Sequence, residues 1–185
     1  MSENNGSIDW LAVAAAGIKF AIVRCSMGRF EQDDLFVSNV DKAHAAGLKV
    51  GAYHYSYALD AQQALEEVQN CCKTIKDSGL SLELPVFYDM EDADGWKARH
   101  NFVFNKNHIT EMCHVFVKNM GVDCGVYASY YWLCNYIDWQ SLQCPIWNAQ
   151  WGNTDDLRGY MWQYTDKLKI GRNFFDGDFF YNSVT

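Results

Sequence analysis

The chain has 185 residues, enough for one domain with a sizeable core. Its net charge of -8 excludes a basic nucleic-acid stripe, and no apolar run reaches membrane-spanning length, so neither nucleic acid nor membrane insertion is expected. Aromatic residues reach 16%, a share that places some rings against a ligand, although for any single ring the core is the first expectation. The 7 Cys form neither a regular framework nor a zinc spacing and are read as reduced thiols of a protein made in the cytoplasm. Residues 1–6 are polar and lack the basic and apolar regions of a signal peptide. A protein of this kind that acts outside the cell must be released by another agent.

In chain order, helical and strand-like patterns alternate. Residues 8–16 have helical spacing, end at Gly17 and lead into a strand over 19–25. A helix over 33–46, with Phe36, Val40 and Ala43 on one side, stops at Gly47, and a strand over 49–55 follows. Ala61, Leu65, Val68 and Cys72 form one stripe of a long helix over 58–77 that closes near Gly79. Next comes a strand from 85 to 91, then a polar loop, then a helix over 108–120 ended by Gly121. A short strand over 124–128 and a short helix or turn over 129–136 complete the alternation. The last third holds three strands without intervening helices, over 145–151, 160–164 and 174–180. This decay from βα units into plain strands predicts an α/β, TIM-like barrel with an irregular end, its chemistry at the C-terminal ends of the strands.

One such end carries Asp89 and Glu91. Spaced i and i+2, they point to the same face of a strand whose run from Pro85 to Tyr88 is apolar. Glycoside hydrolysis uses a carboxylic acid kept protonated by its neighbours to protonate a leaving oxygen. Paired acids also serve as metal ligands, caps or solvated carboxylates, and the pair alone leaves these alternatives open. No histidine cluster accompanies it, and cleavage by carboxylates needs neither a metal nor a cofactor.

Tyr53, Tyr55, Tyr127, Trp147 and Trp151 lie at predicted strand ends and are candidates for sugar stacking. Tyr53 and Tyr55 share a face; His54 points the other way, as a core histidine would. Arg24, ending a buried strand, either pairs an active-site acid and orients substrate or forms a structural ion pair. Asp178 is a weaker binding candidate, at i+2 from Asp176, and a turn around Gly177 is the plainer account of both. Asp92 and Asp94 are expected to cap or solvate the loop that follows the acid pair.

Ile8-Asp-Trp10, Ala16-Gly-Ile-Lys-Phe20, Gly47-Leu-Lys-Val-Gly-Ala-Tyr-His-Tyr-Ser-Tyr57, Pro85-Val-Phe-Tyr-Asp-Met-Glu91, Gly125-Val-Tyr-Ala-Ser129, Trp147-Asn-Ala-Gln-Trp151, Trp162-Gln-Tyr164 and Phe175-Asp-Gly-Asp-Phe-Phe180 together resemble the family 25 glycoside hydrolases, muramidases of the Chalaropsis lysozyme type common in phage endolysins and bacterial autolysins. The resemblance runs in order along essentially the whole chain. It implies a single catalytic domain over residues 1–185, of (β/α)5(β)3 type. It also implies hydrolysis of the β-1,4 bond between N-acetylmuramic acid and N-acetylglucosamine in peptidoglycan, with Glu91 as acid, Asp89 as its partner and Asp176 as the acid of the final strand. The nucleophile is left open between the substrate's acetamido group, water and a protein carboxylate. Phage or prophage origin, with the protein made in the cytoplasm and acting on the wall after release, is the implied setting.

Two departures matter. The family usually has Asn where Asp178 stands. It also usually begins with a strand reading roughly Gly-Ile-Asp-Val-Ser, and here Met1 stands where the Val would be, so the first strand and its Asp are missing. A barrel short of one strand has two exposed edges, which leads to self-association, to pairing of the gap with another segment, or to loss of activity. The alternative function is therefore a truncated, catalytically impaired domain that binds cell-wall glycan.

Overall fold

The apolar runs punctuated by glycine become the strands of one curled sheet. A computed structural model describes residues 1–181. Its elements are a 3-10 turn (Glu3–Asn5), α1 (Trp10–Ala15), β1 (Phe20–Met27), β2 (Glu31–Gln32), α2 (Phe36–Ala45), β3 (Lys49–Tyr55), α3 (Ala61–Ser78), β4 (Val86–Asp89), α4 (Trp96–Arg99), α5 (Lys106–Asn119), β5 (Cys124–Ser129), α6 (Tyr130–Asn135), α7 (Trp139–Leu142), β6 (Ile146–Ala149), β7 (Met161–Ile170) and β8 (Asn173–Phe180).

The sheet order is β2-β1-β3-β4-β5-β6-β7-β8. The ladder from β1 through β7 is parallel; β8 returns antiparallel to β7, and the two-residue β2 turns back on the end of β1. The decaying alternation predicts an α/β barrel-like fold, and the observed sheet is its curled, half-barrel form. Seven of its strands match the predicted ones. The short β2 and the helical turns α4 and α7 are additions, and α4 stands inside the stretch expected to be a polar loop.

Helices α1, α3 and α5 begin where a side chain takes up a free backbone N–H. Asp9, Asp60 and Asn105 accept from the third residue beyond each cap, and Gly79 closes α3 in the left-handed conformation. The helices cover the outer face of the sheet, where Val23, Val50, Val86, Tyr88 and Val126 pack against Val40, Val68, Met112 and Phe116. A second cluster fills the concave side with Ile22, Leu84, Phe87, Trp147 and Met161.

Strand alternation sorts side chains as predicted. Tyr53 turns to the inner cluster, while His54 is buried outside, its Nδ1 2.8 Å from Ser26 Oγ. Position 125, on the inner face between the outward Cys124 and Val126, is glycine because a Cβ there would stand 2.2 Å from the Pro145 carbonyl. Gly177 is not the centre of a turn. It lies within β8, where a Cβ would meet the Tyr164 ring at 2.8 Å; the hairpin turns instead at Gly171, with φ of 61°.

The sheet does not close. Among the described residues β1 and β8 share no ladder, and a cavity of about 520 Å³ lies between Phe20, Ile22, Leu168, Phe175 and Phe180. On the seam side of β1, ahead of the short β2 pairing, Met1 makes one bridge: its amine donates to the Ile22 carbonyl (3.0 Å) and its carbonyl accepts from Arg24 N–H (2.8 Å), the pattern of one parallel-bridge residue.

Candidate active site

Strand register builds the site. Tyr55, Asp89, Tyr127 and Trp147 stand opposite one another on β3, β4, β5 and β6, forming a row across the C-terminal half of the parallel sheet. Asp89 is the last residue of β4 and Glu91 follows two residues later, beyond the buried Met90. From β8, Asp178 stands opposite Gln163 of β7. Asp176, Asp178 and Phe180 alternate with the core residue Phe175 and so face the concave side.

The acids of this row favour their protonated forms. Burial holds Glu91 up at about 7, with Asp176, Asp94 and Asp92 adding to the rise and Lys97 opposing it. Asp89 is 6% exposed, its Oδ1 has no hydrogen-bond partner among the described residues, and burial and Glu91 push it well above the usual carboxylate range. Burial also lifts Asp178 to about 7, even though Trp147 Nε1 donates to its Oδ1 at 2.8 Å and pulls the other way. Asp176, more exposed, is raised by burial as well, with the Met1 ammonium opposing the rise. The fields of Asp89, Glu91, Asp176 and Asp178 all reach the Tyr127 hydroxyl, which burial holds un-ionised. These clustered carboxyls with raised proton affinity make this end of the sheet the candidate site.

The aromatic candidates divide. Trp147 is buried edge-on against Phe87 and Tyr127, so its contribution to the site is the N–H that holds Asp178. Trp151 is 62% exposed at the rim, its Nε1 held by Gln163 Oε1 at 3.2 Å. The same Gln163 oxygen accepts from Tyr127 OH at 3.1 Å. Tyr53 and Tyr55 are half-buried and feel the charge of Asp89; Tyr55 also feels Glu91.

Arg24 stands beside the site, but its guanidinium is held by other acids. Nε donates to Asp33 Oδ2 and Nη2 to Glu3 Oε1, both at 2.9 Å. This is the structural ion pair that the sequence left as the alternative; Arg24 reaches Asp89 and Tyr53 only through its field.

Several residues at the site escaped sequence reasoning. Gln163 lies inside the Trp162-Gln-Tyr164 segment but carried no role. Tyr57 and Trp96 meet edge to face at 5.1 Å, and Tyr57 meets Tyr55 at 5.0 Å, so an aromatic ledge leads outward from Glu91. A lone Trp in a polar loop was the available signal for that ledge. Lys97, 1% exposed next to Glu91, carried none. Among the described residues no cluster of His, Cys, Asp and Glu has the geometry of a metal site.

Known proteins agree with this architecture. The autolytic lysozyme of Clostridium acetobutylicum is 28% identical over 171 residues, which cover 91% of this chain and 50% of that protein. The chain therefore spans about half the length of this relative. The solved endolysin CTP1L superposes with a TM-score of 0.83 at 21% identity over 98% of this chain and 65% of its own. The modular autolysin LytC of Streptococcus pneumoniae, solved with a synthetic peptidoglycan ligand, gives 0.79 at 20% identity over 92% of this chain and 42% of its own. At such identities the structures speak for the fold. The family model of the glycosyl hydrolases family 25 matches residues 1–172, and the chain belongs to that family.

Proposed function

We propose that residues 1–185 form one catalytic domain, an N-acetylmuramidase that cleaves the β-1,4 bond between N-acetylmuramic acid and N-acetylglucosamine in peptidoglycan. The carrying observation is Glu91: half-buried at the end of β4, surrounded by Asp89, Asp92, Asp94 and Asp176, it keeps its proton up to about pH 7. A carboxyl in that state donates to the glycosidic oxygen as general acid and leaves as a carboxylate when the bond breaks. Burial, with the charge of Asp176 adding to it, keeps the proton on Glu91 beforehand. Once ionised, Asp89 and Asp176 favour the oxocarbenium-like charge on the sugar. Tyr127, with its hydroxyl on Gln163, and the exposed face of Trp151 flank the path that a glycan strand takes across the row. The chain's place of action in this reading is the bacterial cell wall.

The test is release of new N-acetylmuramic acid reducing ends from purified peptidoglycan by the parent and by Glu91→Gln. The parent should release them, with an alkaline limb in kcat/KM near pH 7, and Glu91→Gln should be slower by at least about a hundredfold. Equal release by both would remove Glu91 from the mechanism.

A second reading, binding of wall glycan with impaired cleavage, draws on the open seam, where Asp176 and Asp178 line the cavity. Glycan pull-down without release of reducing ends would favour it. Among the described residues the seam edge of β1 is only partly covered, by Met1 and β2, and β8 has no strand beyond it, which supports self-association; sedimentation velocity at micromolar concentration tests it.

A further inference from the structure

We propose that Lys97 is the positioning residue of the acid: its buried ammonium staples the peptide carbonyl of Glu91 to that of Ser56 and so fixes where the Glu91 side chain leaves the sheet. The inference rests on the reading of Glu91 as the acid.

The β3–β4 ladder ends at Tyr55 and Asp89, with Ser56 N–H donating to the Asp89 carbonyl at 3.1 Å. Beyond that point the two chains diverge, and the carbonyls of Ser56 and Glu91 lack a further backbone partner in the ladder. Lys97 Nζ takes both. It donates to the Ser56 oxygen and, at 2.9 Å, to the Glu91 oxygen. An ammonium thus extends the lateral connection of the sheet by one link, at the residue whose side chain does the chemistry.

Burying a lysine is costly unless its donors are satisfied, and Lys97 is 1% exposed. Among the described residues no carboxylate oxygen comes within ion-pair distance of it, so carbonyls hold it. Its own backbone is held as firmly. Asp92 Oδ1 accepts from Lys97 N–H at 2.7 Å and Asp92 Oδ2 from Ala98 N–H at 3.1 Å. Asp94 caps Trp96 N–H at 2.9 Å, and the Lys97 carbonyl accepts from Phe102 N–H at 3.1 Å. The turn α4 is thereby clamped at both ends around a single inward-pointing lysine.

The charge has a second effect. Glu67 from α3, Asp89 from β4, and Glu91 and Asp92 from the loop all act on this ammonium, and Cys113 of α5 feels it. Glu91 in turn faces Asp176 of β8, Asp92 and Asp94 of its own loop, and the hydroxyls of Tyr55 and Tyr127. Lys97 opposes the mutual repulsion of these acids, joined at Asp89 by Arg24 and the Met1 ammonium, and its removal raises the proton affinity of Asp89 and Glu91 together.

The experiment compares the parent with Lys97→Met, which keeps volume without charge, and Lys97→Arg, which keeps charge at a different reach. Soluble muropeptide chains are the substrate, and thermal unfolding verifies folding. The ¹³C titration of the Glu91 carboxyl, assigned with Glu91→Gln, is followed in each protein. Expected for Lys97→Met are a kcat at least about tenfold lower with KM little changed, both limbs of kcat/KM at higher pH, and a Glu91 titration moved upward. For Lys97→Arg the limbs stay while kcat falls. A folded variant with parental kcat and an unmoved Glu91 titration overturns the proposal. If Lys97→Met does not fold, parental kcat in Lys97→Arg overturns it. If the parent itself releases no reducing ends, the muramidase reading fails, and the staple is then read from the backbone: displaced carbonyl ¹³C shifts of Ser56 and Glu91 in folded Lys97→Met support it, and unmoved ones refute it.

Discussion

Glu91→Gln should make the protein more stable at neutral and alkaline pH while removing its activity. In the fold the carboxyl keeps its proton up to about 7, against an ordinary value of 4.5 in the unfolded chain. Below about pH 4 it is protonated in both states and contributes nothing to the pH dependence. Between 4.5 and about 7 the unfolded chain releases a proton that the folded one retains, so folding loses stability as pH rises; above about 7 the loss is complete. Carrying a proton affinity across that interval corresponds to about 3 kcal/mol. Glutamine stays neutral and escapes the loss, and Asp89 is relieved of a charged neighbour, which acts in the same direction. For a chain of this length about 3 kcal/mol corresponds to a ceiling of about 10 °C in Tm. Scanning calorimetry of parent and variant at intervals from pH 4 to 8.5 should show curves that nearly coincide at pH 4 and separate by about 5–10 °C at pH 8. A Tm difference that does not change with pH, or a variant less stable than the parent at pH 8, would refute the claim that this site stores electrostatic strain on Glu91.

Three further outcomes follow from named contacts. Arg24→Met leaves Asp33, whose side chain is 0% exposed, without its cation, and should lower the unfolding free energy by about 3 kcal/mol in urea titrations without removing Glu91 from its place. Gly125→Ala drives a methyl to 2.2 Å from the Pro145 carbonyl and 3.0 Å from Phe87, so β5 and β6 must separate locally; a loss of about 1–3 kcal/mol is expected by the same assay. Trp147→Phe removes the N–H that favours ionised Asp178, and the Asp178 carboxyl, followed by NMR, should titrate above its present value of about 7.

Much of this protein is legible in the chain because its signals are local. Glycines at 47 and 79 close helices in left-handed backbone, and the period-2 pattern of Tyr53-His54-Tyr55 separates the two faces of β3. The strand expected to reach Glu91 ends at Asp89, and Glu91 stands in the loop beyond it, with Met90 between them turned into the outer core. Asp92 and Asp94 cap the next turn, as their place in the loop suggests. Gly177 misled because a glycine between two acids resembles a turn, whereas here it makes room for the Tyr164 ring across a hairpin.

What the sequence by itself determined is the order of strands and helices, the faces they bury and the carboxylate pair. Each follows from periodicity and from the stereochemistry of a few residues. Only the tertiary structure decided how those groups meet. Register aligned Tyr55, Asp89, Tyr127 and Trp147 in one row, brought Asp178 from a strand about ninety residues away, turned Arg24 to Asp33 and Glu3, and buried Lys97 beneath Glu91. The physical reason is range: helix and strand preferences act over a few neighbouring residues. A carboxyl's proton affinity depends on burial and on charges that only the curled sheet brings near.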